Sequence, residues 1–270
     1  MNIDTWLTKA VKDLSKAGID SAQLDAHLLL AATLYQSREY ILSHGEQELS
    51  DTELAQADKW LKRRLNREPI AYILGHKEFY GRDFIVSPSV LIPRPESEAI
   101  IEILKELKPE TIIDIGTGSG CLAISAKLEL PNCSVIATDI SEDALQIARQ
   151  NASSLNIEVT FAVSDLLSGI KNITSDEPVT IVANLPYVDE SWDVSPETKF
   201  EPSMALFADN DGLHLIKKLV LQASKKMRDG DHLVLEADKR QHGQLSQYAE
   251  EHGFTLEKID GLIVLYTLRA

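Results

Sequence analysis

Positive charge is what this chain lacks most: 27 Lys and Arg stand against 42 Asp and Glu in 270 residues, leaving a formal net charge of −15. A protein that binds by neutralising many phosphates needs a basic face, so the balance argues against direct nucleic-acid binding, with a local basic patch still open. Cysteine is nearly absent. Cys121 and Cys133 have no zinc-ligand spacing and cannot frame a disulfide fold, which fits a reduced cytosolic setting with both thiols as small core residues and no metal. No apolar run approaches membrane-spanning length, and the N-terminus shows no basic-then-apolar leader. The expectation is a cytoplasmic protein with no membrane partner, acting as a monomer. What is present suffices for real cores: 44% hydrophobic residues in a length that suits one large domain with a smaller companion.

Along the chain, Trp6, Leu7, Ala10, Val11, Leu14 and Ala17 recur at helical spacing until a turn at Gly18 to Ser21. Helical spacing resumes through Ala26, Leu28, Leu29, Leu30, Ala31 and Leu34. It returns from Asp51, taken as a cap, through Leu54, Ala57, Trp60, Leu61 and Leu65. Residues 1–66 therefore read as a small all-helical domain for packing and partner docking, without a catalytic constellation. The aromatic and β-branched content of Ile70 to Gly75 and Glu78 to Val86 predicts a β-hairpin linker over 67–95. Pro93, Arg94 and Pro95 read as a rigid link with solvated charges before a helix over Ala99 to Leu107. Residues 96–270 form the third region.

That region opens with a β-branched strand from Thr111 that runs through Asp114 into Gly116, Thr117, Gly118, Ser119 and Gly120. Glycines let the backbone approach a ligand closely and take positive φ. The dinucleotide fingerprint fails because its third glycine position is Cys121, and no Lys-Ser/Thr pair follows as in a P-loop. Asp114 would repel a pyrophosphate. A ligand without phosphates suits the turn, its ammonium meeting a carboxylate and its ribose lying over the glycines; S-adenosylmethionine has those parts. Strands follow at the intervals of an alternating α/β sheet. Val135 to Asp139 ends in an acid placed to accept from ribose hydroxyls, and Ser141 looks like the cap of the next helix. Val159 to Val163 leads to Asp165 and Leu166, which offer an acceptor and an apolar face to an adenine.

Val179 to Ala183 delivers Asn184, Leu185, Pro186 and Tyr187 to the same carboxyl edge, where Asn184 is also expected to border the cofactor. An amide nitrogen is a poor nucleophile because its lone pair is delocalised. The Asn184 side-chain oxygen and the Leu185 carbonyl can take both hydrogens of such a nitrogen, orienting it and supporting the charge that develops on methyl transfer. Pro186 stiffens the turn, and Tyr187 supplies a flat wall. The bland alternative is a strand-terminating turn. Further on, His232 to Glu236 reads as a strand whose terminal acid either touches the site or serves a turn. A helix follows, then closing strands Thr255 to Lys258 and Leu262 to Leu268.

Taken together, these segments resemble the HemK/PrmC family of protein-(glutamine-N5) methyltransferases. The likeness runs through Ala17-Gly18-Ile19, Asp25-Ala26, Tyr72, Gly75, Glu78 to Gly81, Leu91 to Glu98, the glycine turn, Asn184 to Tyr187, and Phe200-Glu201-Pro202 with Ala205-Leu206. The resemblance implies a Rossmann-like class I methyltransferase domain with a mainly parallel seven-stranded sheet, preceded by a small all-helical domain. It implies S-adenosylmethionine at Gly116 to Gly120, Asp139 and Leu166, and the glutamine of the Gly-Gly-Gln motif of class-1 release factors at Asn184 to Tyr187. Two features depart from the family pattern. Leu185 replaces the first proline of Asn-Pro-Pro-Tyr, which keeps the carbonyl but restores an N–H and frees φ. The stretch Ile259 to Val264 lacks the family's arginine pattern. A nucleic-acid adenine N6-methyltransferase and a cofactor-binding adaptor without turnover are the alternatives.

Overall fold

The computed structural model describes residues 1–170 and 178–269, which divide into two compact units. Met1–His76 and Ser195–Phe200 make up the first, while Lys77–Val194 and Glu201–Ala270 make up the second.

The first unit is helical. Its elements are α1 (Ile3–Lys16), α2 (Ala22–Leu34), α3 (Arg38–Ser43), α4 (Asp51–Leu65) and α5 (Ile70–Leu74). Apolar residues three and four apart share a helix face, so Trp6, Ala10 and Leu14 of α1 meet Leu29 and Leu30 of α2 and Leu61 of α4 in one buried cluster. The cap of α4 is Ser50, not Asp51: the Ser50 hydroxyl accepts from the Glu53 N–H while the Glu53 carboxylate accepts from the Ser50 N–H at 2.8 Å. This reciprocal pairing leaves Asp51 inside the first turn. The expected strand over 70–75 is instead α5, ended by Gly75 at φ +83°. A five-residue apolar run is too short to show its period, and here Ile73 is drawn into the helical core.

Six residues from late in the chain complete this unit. Their short 3₁₀ turn, Pro196–Phe200, carries Glu197, which accepts from Arg64 Nη1 at 3.0 Å and from Arg67 Nη2 at 3.2 Å. Arg64 Nε also donates to Asp25 Oδ2 at 2.6 Å, and both of those side chains are buried. Charges removed from water in this way persist only when they are paired.

The hairpin β1 (His76–Phe79) and β2 (Arg82–Ile85) belongs to the second unit from Lys77 onward. Its two-residue turn, Tyr80-Gly81, has positive φ at both positions, as a twisted hairpin requires. There follow α6 (Glu98–Leu107), β3 (Thr111–Ile115), α7 (Cys121–Glu129), β4 (Ser134–Asp139), α8 (Glu142–Ser154), β5 (Thr160–Val163) and β6 (Val179–Ala183). The chain then runs through α9 (His214–Lys226), β7 (His232–Glu236), α10 (His242–Glu250), β8 (Phe254–Asp260) and β9 (Ile263–Leu268). Strands β3 to β9 form a seven-stranded sheet in the order β5-β4-β3-β6-β7-β9-β8, parallel except at β9, which is antiparallel to both of its neighbours.

Successive strand residues point to opposite faces, so Ile113, Ile181 and Leu233 enter one core while Ile112, Val182 and Val234 enter the other. With helices on both faces the central strands are buried throughout, which explains the unbroken apolar run of β6. From β3 the chain winds outward to β5 and then returns to lay β6 on the other side of β3. Such a reversal opens a crevice at the carboxyl ends of the strands.

Candidate active site

A cavity of about 430 Å³ occupies that crevice. The turn after β3 forms one wall. The Gly116 and Thr117 N–H groups both donate to the Thr138 carbonyl, at 2.8 and 2.9 Å, which folds the turn back onto β4. At Gly118 (φ +55°) a Cβ would meet no atom within 4 Å, so bare backbone faces open space. Gly116 (φ +73°) answers a closer constraint, because a Cβ there would lie 2.9 Å from Leu185 Cδ2. The turn and the Asn184 motif are thus packed against each other through the absence of a side chain.

At the end of β4, Asp139 accepts from the Gly118 N–H and the Ser141 N–H, each at 2.9 Å. Burial raises its carboxyl above the ordinary range against the pull of these donors. Ser141 caps α8 through the Ala144 N–H, as its position implied. Beyond β5, Leu166 lines the cavity at φ +50°, a strained value for leucine. The turn is braced by the Ser164 hydroxyl, which donates to the Leu166 carbonyl at 2.6 Å and accepts from the Gly169 N–H.

Of the residues anticipated for the cofactor, Gly116, Thr117, Gly118, Ser119, Asp139, Asp165, Leu166 and Asn184 border this one cavity. Two do not. Asp114 is fully buried beneath the turn, where its carboxylate accepts from the Thr117 hydroxyl at 2.6 Å; burial, aided by the Asp139 charge, pushes it up to about 7. Gly120 packs inward on Ile124 and Ala148. Asp165 reaches the cavity edge, but both of its oxygens are engaged by Lys218 Nζ.

The opposite wall carries Asn184, Leu185 and Pro186. Tyr187 borders a smaller adjoining recess of about 40 Å³, with Arg94 and Glu236. Here Ser97, which carried no role in the sequence, joins Glu236, the strand-end acid read as either touching the site or serving a turn, which borders the recess. Asn184 Nδ2 donates to Ser97 Oγ at 2.9 Å, and the Ser97 hydroxyl donates to Glu236 Oε2 at 2.5 Å. The Tyr187 hydroxyl donates to Glu236 Oε1 at 3.1 Å. Burial raises the Glu236 carboxyl despite both donors, while burial and the Glu236 charge raise the Tyr187 phenol, which stays a donor. Glu201 of Phe-Glu-Pro braces the preceding segment, accepting from Arg94 Nη2 at 2.6 Å and from the Ile92 N–H at 3.1 Å. Val188 exchanges backbone hydrogen bonds with Leu206 and Ala208, which brings Ala205 and Phe207 to the cavity wall. Among the described residues no three His, Cys, Asp or Glu side chains converge as a metal would require, and no helix is long and apolar enough to cross a membrane.

Residues 5–75 match the family described as PrmC N-terminal domain, and residues 95–200 match the methyltransferase small domain. A release factor glutamine methyltransferase of Koribacter versatilis (strain Ellin345) is 43% identical over 243 residues, which span 87% of this chain and 86% of that protein. This chain belongs to the release factor glutamine methyltransferase family. The Aliivibrio fischeri (strain ATCC 700601 / ES114) member is 36% identical, with coverage of 94% of this chain and 91% of its own. A crystal structure of a methyltransferase from Pyrococcus furiosus shares the fold, with a TM-score of 0.55 at 20% identity, covering 79% of this chain and all of that one. As a member of the family, the chain is an S-adenosylmethionine-dependent methyltransferase. The site suits that cofactor: a bare-backbone wall at Gly118, a carboxylate at the end of β4 and an apolar residue at Leu166 border one cavity, and among the described residues its lining holds no Lys and a single Arg, Arg94.

Proposed function

We propose that this enzyme methylates the side-chain amide nitrogen of the glutamine in the Gly-Gly-Gln motif of class-1 release factors. The observation that carries the reading is that the glycine turn and the Asn184 amide face one continuous cavity, so a cofactor on the first wall and an amide on the second share a single space. The family names of the relatives point to the same substrate.

When bound, S-adenosylmethionine supplies an electrophilic methyl on a sulfonium. Gly116, Thr117, Gly118 and Ser119 of the turn, with Asp139, would hold its amino-acid and ribose parts, and Leu166 would lie against the base. The Asn184 side-chain oxygen and the Leu185 carbonyl accept the two hydrogens of the substrate amide, turning its nitrogen toward the methyl and supporting the charge that grows there. Pro186 holds the turn rigid. Transfer would leave S-adenosylhomocysteine as the product, and the amide's extra proton passes to solvent after attack, so no residue needs to act as a base beforehand. Residues 1–66 dock the protein substrate and residues 96–270 carry the transfer, the enzyme working as a cytoplasmic monomer without direct nucleic-acid contact.

Incubation with labelled S-adenosylmethionine and either a release factor or RNA tests this. Label on the glutamine of the release factor is expected; label on RNA alone, or cofactor binding with no transfer, overturns it. Asn184→Ala should leave cofactor affinity nearly unchanged and lower turnover by roughly 10²–10³, the scale of losing one preorganised transition-state partner.

A further inference from the structure

A carboxamide has two ends of nearly equal shape and opposite hydrogen-bonding character. Rotation about its last torsion is broad, so nothing in Asn184 alone decides whether oxygen or NH₂ meets an incoming amide. Against a nitrogen that brings two hydrogens, only the oxygen is useful. We propose that Ser97 and Glu236 are positioning residues that lock the Asn184 carboxamide with its oxygen toward the acceptor amide. The inference rests on the reading of Asn184 as the acceptor for substrate.

The polarity is set at the far end of the chain of bonds. Glu236 is 1% exposed at the end of β7, and two hydroxyls, Ser97 and Tyr187, converge on its two oxygens. Two hydroxyl donors on one carboxyl group serve its ionised form, which can only accept. The single Ser97 proton is therefore committed to Glu236, and its lone pairs remain for an N–H. Asn184 Nδ2 supplies that N–H at 2.9 Å. With NH₂ consumed inside the wall, Oδ1 is the end left for a ligand. Ser97 is itself 2% exposed, so water does not compete for the bond.

The same network explains why Tyr187 shares the motif with Asn184. Its phenol fills the second oxygen of Glu236 and keeps the carboxylate from turning away from Ser97. A residue three places beyond Asn184 and another from a different strand thus act on one amide.

A double-mutant cycle between Ser97 and Asn184 tests the proposal, reading turnover at saturating cofactor and release factor together with cofactor Kd. Ser97→Ala should lower kcat about tenfold, the scale of one hydrogen bond's preference for the correct amide orientation, with cofactor Kd unchanged. Ser97→Thr, which keeps the hydroxyl, should restore most of the rate. In an Asn184→Ala background, Ser97→Ala should change kcat little, because there is no amide left to orient. If Ser97→Ala fails to fold, Ser97→Cys, with a weakly accepting sulfur, runs the same cycle. Full activity in the Ser97 variant while Asn184→Ala is impaired overturns the positioning role alone, as does a cycle in which the two losses add. An Asn184→Ala enzyme with normal turnover overturns the acceptor reading on which it rests.

Discussion

Gly116→Ala probes the contact that joins the two walls of the cavity. At φ +73° an alanine occupies left-handed backbone, which costs an L-residue about 1–2 kcal/mol. Its Cβ would also lie 2.9 Å from Leu185 Cδ2, and the leucine must give way at an overpacking cost of about 1–3 kcal/mol. Leu185→Ala alone should lose about 2–3 kcal/mol, the low end for a buried leucine because its side of the core opens onto the cavity. In the double variant the clash disappears while the backbone strain stays. The two losses should therefore fall short of adding by the clash term, about 1–3 kcal/mol. Urea unfolding of the four proteins without cofactor reads the cycle directly. Additivity to within about 0.5 kcal/mol would refute the contact, since distant sites behave that way. Cofactor titration separates the consequences: Gly116→Ala should raise Kd in both backgrounds, because the displaced turn is a cavity wall whichever residue stands at 185.

Asp139→Ala should raise cofactor Kd first and leave turnover at saturating cofactor less affected, the reverse of Asn184→Ala; isothermal titration beside steady-state kinetics checks the pair. The Asp114 carboxyl is pushed up to about 7 in the folded protein, so an unfolded chain releases this proton first and stability falls as pH rises from about 4 to about 7. Asp114→Asn should gain in melting temperature over the parent above pH 7 and lose that advantage near pH 4; parallel curves would mean that Asp114 keeps an ordinary carboxyl. Asp25→Ala removes one partner from buried Arg64 and should cost about 3–5 kcal/mol in denaturant unfolding, against little if the pair were solvated.

Local rules made much of the fold readable. Ser141 sits one residue before a helical pattern and caps it, and β6 shows the unbroken apolar run of a strand covered on both faces. At Ser50 the reading went to the neighbouring acid because the decisive clue, Glu53 three residues on, lay inside the helix itself. Ile70–Leu74 misled for the opposite reason: five apolar residues carry no period, and burial against α1, α2 and α4 decided between helix and strand. The candidate site divides in the same way. Gly118, Asp139 and Asn184 announce themselves by following strands, so the sheet topology gathers them at one edge. Ser97 bonds to Glu236 across 139 positions, and Arg94 bonds to Glu201 across 107, with no sequence signal that one member requires the other. Asp114 differs from these three: a strand-end acid read as a ligand group, it is fully buried and accepts from the Thr117 hydroxyl.

The contribution of Ser195–Phe200 to the helical unit also imposes a schedule on synthesis. Glu197 is translated about 120 residues after His76, a delay of about 6–24 s at 5–20 residues per second. Through that interval Arg64 and Arg67 are already made while their shared carboxylate is not. By the time it emerges, β3, β4, β5 and β6 have all left the ribosome. The unit encoded first is therefore completed only after the first four strands of the sheet exist, and a nascent chain halted before residue 197 carries an unfinished N-terminal unit however long its helices have had to form.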